Sequence, residues 1–158
     1  MKRMIATAAV VAAGLLTQMA PAQTATVDKL TQGQMMEQAQ LLEQQAAESG
    51  TASAKLKEYP NHFTMMALRK KSGAAEVHLE YADFFLVVRG KAMLVTGGAV
   101  VAPQTVSAGE IRGTAVSGGT QTPLEKGDVV HIPASVPHQL LLTGRGDFVY
   151  FVIKVREK

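Results

Sequence analysis

The chain holds only four histidines, His62, His78, His131 and His138, and two of them stand where chemistry is possible. In Glu76-Val77-His78-Leu79-Glu80 polar and apolar residues alternate. On a strand this sets Glu76, His78 and Glu80 on one face, an imidazole flanked by carboxylates. Asp83 follows after a short turn at Tyr81 and Ala82, where a returning strand begins, and can fold back toward His78. Far down the chain, Gly127 to His138 runs strand, proline turn, strand, which places His138 at the start of a new strand. His131 lies on the strand before that turn, and ligand, ligand-support and substrate-contact roles stay open for it. His62, in Pro60-Asn61-His62, reads as a turn or packing residue that could join a pocket from an edge strand. Arg69 with Lys70 and Lys71 reads as a solvated strand end.

These residues must be positioned by β structure. From Lys57 onward, short β-rich runs are separated by Gly, Pro, Asn and Asp, the texture of an antiparallel β domain. Eight strands are expected, near 62–69, 75–80, 84–88, 91–96, 99–101, 128–132, 138–142 and 148–155. Phe84 to Val88 and Phe148 to Ile153 are nearly continuous apolar runs and should be buried on both sides, inside a sandwich or between barrel and helix. The last of these gives way to solvent at Lys154, Arg156 and Lys158. Between Gly97 and Gly127 the small residues read as an extended loop with turns. An alternative makes Glu110 and Arg112 a lip over the pocket. No internal repeat of fixed period occurs. The fold class expected is all-β, one closed or nearly closed double sheet over residues 57–158.

Ahead of it, residues 23–56 form an N-terminal arm with one helix. Met35, Met36, Ala39, Leu42 and Ala46 fit helical spacing, predicting a helix over 34–48 stopped by Gly50. Such a helix could cover a barrel mouth or cross to a second subunit. At the start of the chain, Lys2 and Arg3 precede an uncharged apolar run from Met4 to Met19, and Ala20-Pro21-Ala22 offers the small residues of a cleavage site. This is the pattern of a secretory signal peptide over 1–22 and of a periplasmic or extracellular protein. The apolar run is shorter than the roughly 20 residues a spanning helix needs, so no stable membrane span is expected after cleavage.

Loss of that segment leaves 14 basic against 13 acidic residues, a net charge of +1 rather than the formal +3. The remaining basic residues form no stripe, which argues against a nucleic-acid partner. With no cysteine in the chain, disulfide, thiolate-metal and cysteine-nucleophile chemistry are closed.

The spacing of the two histidine segments resembles that of the cupin superfamily. Its first motif is matched by Glu76, one residue, His78, four, Asp83, six, Gly90. Its second is matched by Gly127, five, Pro133, one, Ser135, two, His138, three, Leu142. The run Gly127-Asp128-Val129-Val130-His131-Ile132-Pro133 is similar to that of small exported single-domain cupins. Residue types depart from the pattern at Glu76, which stands for a histidine, Asp83 for glutamate, Ser135 for glycine and Leu142 for asparagine. The leading glycine, Gly73, lies off the expected spacing.

The resemblance, over residues 57–155, implies a double-stranded β-helix, or jelly roll, and a metal held in the barrel by His78, Asp83 and His138, with Glu76 as a fourth ligand. Two imidazoles with carboxylates suit Mn, Fe, Zn or Ni. A metal-dependent small-molecule enzyme is then expected, with Glu80 or His131 moving a proton. A non-catalytic module that binds a metal or small ligand is the alternative, since the fold hosts both. A carrier of apolar ligands is a third reading, from the Val, Leu, Ile and Met content. The family and the exposed edges of a small barrel imply a homodimer.

Overall fold

The computed structural model describes residues 27–157, so the leader expected over 1–22 lies outside the described residues. Helix α1 spans Gln32–Ser49. Thr31 caps it by accepting from the Gln34 amide at 3.2 Å, while the Gln34 side chain accepts from the Thr31 amide at 2.9 Å. This reciprocal box starts the helix two residues before the expected position. Gly50 ends it in the left-handed conformation, donating to the Ala46 carbonyl. No helix among the described residues is long and apolar enough to cross a membrane.

Two antiparallel sheets follow. The first orders β1 (Thr51–Glu58), β2 (His62–Arg69), β13 (Phe148–Arg156), β4 (Tyr81–Arg89) and β11 (Val129–Ile132). The second orders β10 (Thr120–Glu125), β5 (Lys91–Thr96), β12 (His138–Leu142), β3 (Ala75–His78), β8 (Glu110–Gly113) and β7 (Gln104–Ser107). A small pair, β6 (Ala99–Val101) with β9 (Ala115–Ser117), completes the set. The all-β double sheet with one N-terminal helix is therefore present as expected.

The long apolar runs are buried on both sides because α1 lies against the first sheet. Along β13, Phe148, Tyr150 and Val152 enter the barrel core with Phe85, Leu94 and Leu140. Val149 and Phe151 point outward and meet Leu42, Ala46 and Met66 under the helix. Phe84 is the exception. The helix reaches only the Val88 end of β4, and Phe84 stacks instead on His131 at the surface, ring centroids 4.3 Å apart.

Three expectations are corrected. Residues 51–56, read as part of the arm, belong to strand β1, with Ala52, Ala54 and Leu56 under α1 and polar residues between them. Alanine is a weak strand former, so the alternation carried little signal. The stretch from Gly97 to Gly127 is not an extended loop: beyond the strand expected at 99–101, which is β6, it forms strands β7 to β10. These strands are short and largely exposed, as in β7, so no apolar period marks them. Pro123 is tolerated because β10 is an edge strand paired only with β5. Finally, β3 stops at His78, the turn falls at Leu79 and Glu80, and β4 already begins at Tyr81.

Candidate metal centre

Register builds the site. On β3, Glu76 is the direct cross-strand partner of Arg112 on β8 and of His138 on β12, while His78 lies opposite Glu110. On the facing sheet, Asp83 of β4 is opposite Lys154 of β13. Directly opposed residues on one sheet face hold their side chains within reach of each other. Two such ladders turned inward bring all seven together.

The histidines and carboxylates implied by the motif spacing meet around one point. His78 Nε2 lies 3.6 Å from Glu76 Oε2 and 3.4 Å from Asp83 Oδ2, and His138 Nε2 lies 4.0 Å and 3.8 Å from the same two oxygens. Glu76, His78 and His138 offer ligand atoms all within 4.8 Å of one another. Both histidines and Asp83 are buried. A His/Glu triad so placed could hold a metal. Donors about 2.0–2.2 Å from a tetrahedral ion sit roughly 3.3–3.6 Å apart, so a small contraction would close the set.

Tautomers favour the same reading. His78 Nδ1 is 2.8 Å from the Glu110 carboxylate, and His138 Nδ1 is 3.0 Å from the Val136 carbonyl. Acceptors on both Nδ1 atoms keep the ring protons there and turn the Nε2 lone pairs to the cluster. Both Nε2 atoms are buried without a hydrogen-bond partner. Burial, partly offset by the Val136 carbonyl and Asp83, holds His138 below its ordinary range and so neutral.

Each carboxylate is also held by a cation. Arg69 donates to Glu76 Oε1 at 2.9 Å, Arg112 contacts Glu76 Oε2, and Lys154 donates to Asp83 Oδ1 at 2.6 Å. Burial alone would raise Glu76, but the guanidinium groups of Arg112 and Arg69 oppose it, and the carboxyl is held far below its usual range. Arg69 also donates from Nε to the Tyr150 hydroxyl at 3.0 Å. Burial pushes the Tyr150 phenol up.

A cavity of about 280 Å³ opens onto Glu76, His78 and Asp83, with Met65, Phe85 and Val152 as apolar wall and Thr51 and Ser53 at its solvent side. Two motif glycine positions shape the frame. Gly90 has φ +91°, and a Cβ there would overlap the Asp147 carbonyl oxygen. Ser135, where the motif has glycine, keeps φ +67° and donates from its amide to the His78 carbonyl, locking the proline turn to β3.

Other candidates fall elsewhere. Glu80 leaves the shared face because the strand ends before it, and it is exposed in the turn. His131 is exposed on the outer face of β11 against Phe84. His62 stacks on Tyr59 at 4.3 Å. Arg69 and Lys154, read as solvated strand ends, are largely buried at the site. Their signal was strand parity, which continues Met65 and Ala67 to Arg69, and Tyr150 and Val152 to Lys154. The lip reading of Glu110 and Arg112 matches their place beside His78 and Glu76.

Glu110 is a positioning residue for His78. Changing Glu110→Gln should weaken divalent-ion binding by about tenfold, as is usual for partners of ligand histidines. Equilibrium dialysis reads this directly, and unchanged affinity would remove Glu110 from that role.

No protein-family model and no curated protein matches the chain. Solved structures do. An uncharacterized Klebsiella pneumoniae protein with a double-stranded β-helix domain aligns at TM-score 0.52 and 15% identity over 69% of this chain and 75% of its own. The cupin domain of Cnp3 from Schizosaccharomyces pombe aligns at 0.52 and 12% identity, over 68% and 65%. A recombinant oxalate oxidase in complex with glycolate aligns at 0.51 and 13% identity, over 70% of this chain and about half, 53%, of its own. Strand order, inward histidine ladders and these likenesses together give the chain a double-stranded β-helix fold, the fold it shares with these structures.

Proposed function

We propose that the protein is an exported, metal-binding cupin-fold protein that acts on a small molecule as a metal-dependent enzyme. The observation that carries the metal reading is the pair of buried, unpartnered Nε2 atoms of His78 and His138 facing Glu76 and Asp83. These four residues would hold the ion, a divalent transition metal such as Mn, Fe, Zn or Ni. Bound there, it would supply Lewis acidity or the activation of water or dioxygen. Glu110 orients the His78 ring, and the apolar wall of Phe85, Met65 and Val152 keeps bulk water from the site. Proton transfer by Glu80 or His131 drops out of the scheme, since both are exposed away from the cavity.

Export is supported by Lys2, Arg3 and the apolar run that follows them. Homodimer formation is supported by the open edges at β1, β11, β10 and β7.

A non-catalytic binding module is the second reading. Glu76 and Asp83 in the cavity, and Glu110 behind His78, each already face a cation, which leaves no uncommitted base among these carboxylates.

The shared premise is tested by metal analysis of protein purified without chelator, followed by thermal melts with and without EDTA. An ion present at a hundred times its Kd adds about 2.7 kcal/mol. For a domain of this size that corresponds to a fall of roughly 5–10 °C on chelation. Protein that carries no metal and melts unchanged would leave the apolar-carrier reading in its place.

A further inference from the structure

The three cations of the cavity are not equivalent. Arg69 is anchored from Nε by Tyr150 and from Nη2 by Glu76 Oε1, and Lys154 is held by Asp83. Arg112 is the most exposed of them, with a side chain 36% accessible against 15% and 13%. Its Nη2 reaches Glu110 at 3.2 Å. Its Nη1 is in ion contact with Glu76 Oε2 yet makes no aligned hydrogen bond. That oxygen is the one facing both imidazole Nε2 atoms. The same lone pairs are claimed from two sides.

We propose that Arg112 is a resident cation that competes with the metal for Glu76 Oε2 and, once displaced, binds a small carboxylate anion in the cavity, so that metal and anion bind cooperatively. The inference rests on the metal reading above and adds the ligand's charge and the residue that reads it. The formal charges of the Arg69, Arg112 and Lys154 side chains balance those of Glu76, Asp83 and Glu110. A divalent ion then leaves the cavity positive, and in a poorly screened interior that excess favours an anion. A freed guanidinium is the side chain best matched to a carboxylate, through two parallel N–H donors. The Thr51 and Ser53 hydroxyls line the same cavity, whose volume of about 280 Å³ admits only a small ligand.

The test uses the full mature chain, stripped with EDTA, dialysed, and titrated with Co²⁺ by equilibrium dialysis and visible absorption, without and with excess sodium acetate. Acetate should tighten Co²⁺ binding to the wild type by about fivefold or more and shift its visible band. Arg112→Gln should bind Co²⁺ about tenfold more tightly without acetate, an effect of the size usual for groups next to a ligand, and should lose the acetate response. Arg112→Lys should keep part of that response. If Arg112→Gln matches the wild type in both Co²⁺ affinity and acetate response, the proposal is overturned while the metal reading stands. If the wild type takes up no Co²⁺, both fall together.

Discussion

Replacing His138 by alanine is expected to lower the affinity for a divalent transition metal by about a hundredfold or more. Even partners outside the ligand set cost ten- to a hundredfold, and a ligand imidazole costs more. His138 is the cleaner target of the two histidines. Its Nδ1 faces only the Val136 carbonyl, whereas removing His78 would also take from the Glu110 carboxylate one of its two side-chain partners. The loss of a buried ring opens space beside Glu76 and Asp83 but leaves their cation partners in place. The fold should therefore survive, with far-ultraviolet circular dichroism unchanged. His131→Ala serves as the comparison, because that ring is exposed against Phe84 and should leave metal affinity at the wild-type value. Equal ion content in His138→Ala and wild type, measured by mass spectrometry after dialysis against the same metal, would place the ion elsewhere.

The sequence was informative where one period ran unbroken. His78 and Glu76 share a face because β3 is regular between them, and Asp83 returns to them because the turn is tight. Leu42 and Ala46 were legible for the same reason, since α1 keeps one apolar stripe against the sheet. Glu80 failed because parity holds only while a strand lasts, and this strand ends at His78. Arg69 and Lys154 failed differently. A basic residue at the end of an apolar run reads, by sequence alone, as the point where solvent resumes, yet both continue an inward row and stop on the carboxylates of the site. Glu110 and Arg112 sit on a strand too short to show a period, and only the pairing of β8 with β3 sets them opposite His78 and Glu76. What a single sequence hides is therefore the cross-strand register, and this site is made of cross-strand pairs.

That dependence on pairs leads to the second large effect. Lys154→Met should destabilise the metal-free protein by about 3 kcal/mol, the lower end of what breaking a buried ion pair from one side costs. Asp83 is only 3% exposed, and Lys154 donates to its Oδ1 at 2.6 Å. Methionine fills much of the lysine stem's volume, so the loss comes from the stranded carboxylate rather than from a cavity. Metal should reverse the defect, because the other oxygen, Oδ2, faces His78 and His138, and an ion held there would neutralise the same charge. In urea unfolding, the variant should therefore fall well below wild type in EDTA and approach it in saturating Co²⁺. Combining Lys154→Met with Asp83→Asn should recover part of the metal-free stability, since the charge left unpaired is gone, while removing the rescue by metal. Equal stability of Lys154→Met and wild type in EDTA would show that Asp83 does not depend on Lys154. A deficit that Co²⁺ leaves untouched would show that Asp83 does not face the ion.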